Sequence, residues 1–232
     1  MSTVQGLDIF KNLNQKIAKM AINKIILICL TLLLAACAAP VAPVPLSRTF
    51  VYNCNNDLEF VACIEQDNAW LFLPEKTVQL FLVSSGSGAK YSNDEFIFWS
   101  RGEEALFEAP GNKIYECVND RARAVWEQAK FAGVAFRAVG NEPGWELKIT
   151  PGGELIFITD YGEKQYSWPT PEPVTDQQKK QTVYTAASSQ GNIEVVLRLG
   201  PCADTMADIT YETEVTVTLN GKKYPGCGMA LY

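Results

Sequence analysis

The chain has 232 residues, a formal net charge of −6 at pH 7 and no histidine. The missing histidine excludes a Ser-His-Asp triad, a Cys-His dyad and any histidine-bearing zinc site, and the acidic balance argues against a nucleic-acid partner. Neither a C-x-x-C pair nor a G-x-x-x-x-G-K-[ST] phosphate loop occurs, and acidic residues such as Glu103, Glu104 and Glu108 stand in no glycosidase-like motif and read as a solvated face.

The first segment reads as an address. Residues 25–36 form an apolar run, too short for a bilayer span of about 20 residues and suited to a signal-peptide core. The run ends in Leu34-Ala35-Ala36-Cys37, which resembles a bacterial lipobox with Cys37 as the lipidated first residue of the mature chain. Residues 20–24 make an ordinary basic n-region, whereas 1–19 would be a long polar extension, so translation is expected to begin at Met20. Ala38 stands where an acidic inner-membrane retention signal would be, which favours an outer-membrane anchor, on the periplasmic face, in a bacterial envelope. Pro40, Pro43 and Pro45 then make 38–48 a semi-extended tether.

Residues 49–118 read as a first β module. Alternating or aromatic-rich runs recur at 49–54, 58–64, 69–73, 78–83, 95–100, 104–107 and 114–118, spaced as in a small antiparallel barrel. Within it, Ser84-Ser85-Gly86-Ser87-Gly88-Ala89-Lys90-Tyr91 is a small-residue loop able to protrude into a partner's cleft. The strand behind it, Phe96-Ile97-Phe98-Trp99, ends in Ser100-Arg101-Gly102 and supplies a cation with bidentate geometry for carboxylate.

Ser87-Gly88-Ala89-Lys90-Tyr91 fits the S-G-x-x-Y signature of the family of membrane-bound inhibitors of C-type lysozyme, and Phe96-x-x-x-Ser100-Arg101-Gly102 resembles its Y-x-x-x-T-K-G signature with three conservative departures. The Tyr-x-Cys opening at Cys54, the strand Ala69-Trp70-Leu71-Phe72-Leu73-Pro74, Trp99 before the basic residue and Cys117 extend the resemblance over 49–118. It implies a C-type lysozyme as protein partner, a Cys54–Cys117 disulfide, and a lysozyme-binding set of Ser87, Gly88, Lys90, Tyr91, Ser100 and Arg101. Ser87 would address one catalytic carboxyl and Arg101, where the family has lysine, the other, while Tyr91 supports the loop from behind. Such a lysozyme is basic with a carboxylate-lined cleft. Residues 49–118 carry eleven acidic side chains against four basic ones, so an acidic body with a basic tip would steer that partner in. Neither catalysis nor a cofactor is implied.

A helix over 119–134 is expected next, with Asn119 as N-cap, Ala122, Val125, Trp126 and Ala129 at helical spacing and Gly133 as stop. From 135 to 232 a second β domain is expected, with strands at 154–159, 182–187, 193–199 and 214–219 and a type I′ hairpin at Asn220-Gly221. The fold class is therefore all-β, two small antiparallel barrel or sandwich domains joined by one α-helix. Cys202 and Cys227 form a natural second disulfide in an oxidising periplasm, leaving Cys63 as a buried thiol. Gly140-Asn141-Glu142-Pro143-Gly144-Trp145, Pro201-Cys-Ala-Asp-Thr-Met206 and Pro225-Gly-Cys-Gly228 resemble uncharacterised bacterial envelope lipoprotein domains, which implies a fold and no activity. The stretch around Asn141, Glu142 and Trp145 admits two readings, a ligand site or turn chemistry with Trp145 in the core, and the second is favoured. The alternative to lysozyme inhibition is an envelope sensor or ligand carrier that acts through the second domain.

Overall fold

A computed structural model describes residues 47–204, 206 and 208–232; the signal segment and Cys37 anchor expected from the sequence, and most of the expected tether, lie outside them. From Leu46 to Tyr232 the chain is one compact unit.

Eight strands, β1 (Arg48–Cys54), β2 (Glu59–Glu65), β3 (Asn68–Phe72), β4 (Thr77–Val83), β5 (Ala89–Ser92), β6 (Ile97–Arg101), β7 (Glu104–Ala109) and β8 (Lys113–Asn119), form a closed barrel. Every neighbour pair is antiparallel, and β8 returns to β1 with Tyr52 opposite Asn119 and Cys54 opposite Cys117. The period-2 alternation turns Phe60, Phe98 and Phe107 inward, where Phe60 lies 5.2 Å from Phe107 and 6.1 Å from Phe98 between ring centroids. Each such pair contributes about 0.5–1.5 kcal/mol beyond the area it buries. The Cys54–Cys117 bond closes a separation of 63 residues at the barrel seam, which constrains the unfolded chain by about 4 kcal/mol in the loop-entropy account. Cys63 is free and buried, and burial pushes its thiol up from the ordinary range.

Strand β5 is absent from the runs read in the sequence. It is four residues long and continues directly from the Ser/Gly loop, so composition hides it. The helix α1 (Arg121–Phe131) is capped by Asp120, whose carboxylate accepts the Arg123 N–H, and not by Asn119. Asn119 is the last residue of β8, and its side chain instead accepts the Val51 N–H and donates to Glu103. Ala124 and Ala129 face inward while Val125 is half exposed. One side of α1 holds the barrel through the Arg123–Glu59 ion pair and the Phe131–Phe72 contact at 5.1 Å. The other holds the second sheet: Trp126 meets Tyr211 at 5.2 Å, and the Arg137 guanidinium, paired with Glu146 at 2.7 Å, lies 4.3 Å from the Trp126 ring.

The second sheet has nine antiparallel strands: β9 (Phe136–Asn141), β10 (Gly144–Ile149), β11 (Glu154–Thr159), β12 (Lys164–Pro169), β13 (Val174–Asp176), β14 (Gln181–Ser188), β15 (Gly191–Asp204), β16 (Ile209–Leu219) and β17 (Lys222–Ala230). They run in the order β12-β11-β10-β9-β17-β16-β15-β14-β13, so the first and last strands pair at the centre and the two edges are consecutive in the chain. The sheet curls into a half-barrel around Leu147, Phe157, Trp168, Val195 and Val217. Positive φ at both Asn220 and Gly221 gives the β16–β17 hairpin its tight primed turn. Cys202 and Cys227 are bonded across β15 and β17.

Candidate functional site

The loop 84–88 enters β5, which pairs with β6 so that Ala89 faces Ser100, Lys90 faces Trp99 and Tyr91 faces Phe98. Alternation puts Lys90, Trp99 and Arg101 on the outer face and Tyr91 on the inner one. The Ser85 hydroxyl donates to the Gly88 carbonyl at 3.0 Å, and the Trp99 indole N–H donates to the Ser87 carbonyl at 2.7 Å. These two bonds fix a loop that has no strand partner. Gly88 sits at φ +68, and a Cβ there would lie 2.3 Å from the Ser100 carbonyl oxygen and 2.8 Å from Arg101 Cγ. Only glycine lets the loop come this close to the end of β6.

The six residues named from the resemblance separate by what they can do. Ser87 is exposed, and among the described residues its hydroxyl has no protein partner. Arg101 is exposed and, among the described residues, forms no ion pair; its Cζ lies 3.9 Å from the Trp99 ring centroid. Lys90 is half-buried, its Nζ 5.5 Å from the same ring. Ser100 directs its hydroxyl to the Ala89 carbonyl at 3.4 Å, within the sheet. Tyr91 is only 4% exposed, packs 6.3 Å from Phe98, and has its phenol pushed up by burial and then by the Asp67 carboxylate. The loop, Ser87 and Arg101 thus form one protruding edge, with Tyr91 behind it.

Acidic residues frame the cation. Glu104 is the cross-strand partner of Arg101. Glu103, in the turn between them, is held by Asn119 at 2.8 Å and Arg121 at 2.5 Å, and those hydrogen bonds bring its carboxyl down to about 2. Beside Arg101 a groove of about 520 Å³ has Trp99, Leu106 and Val118 as apolar lining and Glu104 and Glu116 as acidic lining. No cluster of three or more metal-ligating side chains occurs among the described residues. No helix among them is long and apolar enough to cross a membrane.

In the second sheet Trp145 is 5% exposed and belongs to the core, its indole N–H donating to the Pro225 carbonyl at 3.0 Å. Gly140 and Gly226 make room for it, since a Cβ on either would lie 2.1 or 2.4 Å from its ring. Trp145 therefore sits in the core, as the turn-chemistry reading expects, while Asn141 and Glu142 line a surface cavity with Tyr161. Asn141, exposed, donates to Asp204 at 2.7 Å.

Trp99, Asn119 and Arg121 carry contacts that the sequence reading did not assign to them. The i, i+2 spacing of Trp99 and Arg101 signals a shared face, but nothing local signals the bond from Trp99 to Ser87.

The closed antiparallel barrel displays a glycine-held serine loop beside a cation that forms no ion pair among the described residues. Residues 52–116 match the family described as "Membrane-bound lysozyme-inhibitor of c-type lysozyme". Over 65 residues the chain is 37% identical to the "Membrane-bound lysozyme inhibitor of C-type lysozyme" of Yersinia enterocolitica serotype O:8 / biotype 1B, a match covering 28% of this chain and 56% of that relative. The chain thus spans about half the length of the curated relative it matches. No solved structure matches the chain.

Proposed function

We propose that the barrel inhibits a C-type lysozyme by entering its active-site cleft, and that the protein acts by binding rather than by turnover. The observation that carries this reading is the juxtaposition, in the stretch similar to the inhibitor family, of a Ser87 hydroxyl with no protein partner among the described residues and an Arg101 guanidinium that forms no ion pair among them and rests on Trp99. Glycoside hydrolysis needs one carboxylic acid to deliver a proton and one carboxylate to stabilise positive charge or attack. The Ser87 hydroxyl engages one of them and Arg101 the other through charge-assisted hydrogen bonds, which removes both from catalysis. Lys90 adds charge beside the cleft, Gly88 shapes the loop, Ser100 fastens β5 to β6, and Tyr91 supports them from inside. Upstream, Cys37 carries lipid and anchors the protein to the bacterial outer membrane, with the barrel at its periplasmic face. The domains proposed are the inhibitory barrel over 49–118, a linking segment over 119–134 that carries α1, and a second domain over 135–232 that serves another role.

The test is inhibition of a C-type lysozyme by purified Ser87→Ala, Arg101→Ala and the double variant. Losing one partner of a desolvated charge-assisted pair costs about 2–5 kcal/mol, a loss of roughly 30-fold or more in affinity. Arg101→Lys, with the family's own residue, is expected to keep or improve inhibition, and Glu75→Ala, away from the loop, to change it far less. A double variant that inhibits like the parent with its circular dichroism unchanged overturns the plugging mechanism.

A further inference from the structure

Ser87 and Arg101 both lean on one side chain. The Trp99 indole N–H holds the Ser87 carbonyl at 2.7 Å, and its ring face holds Arg101 Cζ at 3.9 Å. Glu104 stands opposite Arg101 on the same face of the sheet, a cross-strand arrangement that ordinarily favours an ion pair. Among the described residues no such pair forms, and the guanidinium lies on the indole. An exposed ion pair and an exposed cation–π contact are of similar strength, so an aromatic face at this position suffices to keep the cation from its acidic neighbour.

We propose, on the lysozyme-inhibitor reading, that Trp99 is the positioning residue of the plug, joining the Ser87 loop to the Arg101 cation as one preformed unit and holding Arg101 away from Glu104. Preforming the pair spares the complex the ordering of a free loop and a free arginine on binding. It also makes the contributions of Ser87 and Arg101 depend on Trp99, where independent sites would add.

Two substitutions separate the functions of the indole. Trp99→Phe keeps an aromatic face and loses the N–H, so inhibition weakens about 3- to 10-fold, the range of one neutral hydrogen bond. In that background Ser87→Ala costs clearly less than in the parent, while Arg101→Ala costs as much. Trp99→Leu removes the face as well, and the cost of Arg101→Ala also shrinks. Glu104→Gln then restores about threefold of the inhibition lost in Trp99→Leu, because the competing carboxylate is gone, while changing the parent little. Two readouts need no lysozyme. NMR order parameters of the backbone amides of residues 84–88 fall in both variants and not in a Trp126→Phe control, and the ring-current shift of the Arg101 side-chain protons persists in Trp99→Phe and vanishes in Trp99→Leu. Costs that multiply independently in every background, or unchanged order parameters at 84–88, overturn the proposal. A parent protein that fails to inhibit lysozyme overturns the inhibitor reading instead, and the order-parameter and ring-current measurements still decide whether Trp99 holds loop and cation.

Discussion

Gly88→Ala is the substitution the geometry punishes most within the loop. At φ +68 an L-residue costs about 1–2 kcal/mol in the left-handed region. The new Cβ also lies 2.3 Å from the Ser100 carbonyl oxygen, a backbone atom, so relief requires β5 and β6 to part by about an ångström. Strain and clash together are expected to destabilise the protein by roughly 2–4 kcal/mol. Because Arg101 Cγ lies 2.8 Å from the same Cβ, the cation is displaced along with the loop, and inhibition falls by at least the roughly 30-fold assigned to one arm. Two other glycines separate the causes. Gly102 has φ +62 with nothing within 4 Å of an added Cβ, so Gly102→Ala carries the strain without the clash; Gly86 has neither, so Gly86→Ala is near neutral. Urea melts and lysozyme inhibition constants on the three variants give the comparison. A Gly88→Ala protein that melts with the parent and inhibits within twofold of it refutes the argument that this close approach shapes the plug.

Acid is expected to loosen the junction of barrel and helix. Hydrogen bonds from Arg123 hold the Glu59 carboxyl below its ordinary range, and those from Arg121 and Asn119 bring Glu103 to about 2. A lowered folded-state value means stability present above the unfolded value, about 4.5, and lost as pH falls through the folded one. Urea midpoints should therefore drop from pH 5 toward pH 2, more gently in the Glu59→Gln, Glu103→Gln double variant and more gently in high salt, since both pairs are exposed. At the other end of the chain, Cys37→Ser is expected to abolish fatty-acid labelling and release the protein from the membrane fraction; label retained in that variant removes the lipid anchor from the account.

What the sequence made legible follows from how far each signal reaches along the chain. Period-2 runs such as 49–54 and 78–83 fall on β1 and β4 because one face of each is buried, and Asn220-Gly221 forms its hairpin because two adjacent residues suffice to set that turn. Strand β5 was hidden by the small residues before it. Strands β9 and β17 have glycines at 140, 226 and 228 where a strand reading looks for side chains, and only the packed sheet shows the first two making way for Trp145. The choice between Asn119 and Asp120 as cap could not be made locally either. Both residues can cap a helix, but Asn119 is taken by Val51, whose amide is 68 residues away in sequence. The same distinction divides the candidate site. Ser87 and Arg101, the residues proposed to meet a partner, are named by short motifs. Trp99 and Gly88 hold them in place through contacts that exist only once β5 lies against β6, so a motif that preserved Ser87 and Arg101 over a different residue at 99 would keep the chemistry and lose its alignment. Inhibitory strength is therefore expected to follow the residue at 99 as closely as the conservative exchange of lysine for arginine at 101.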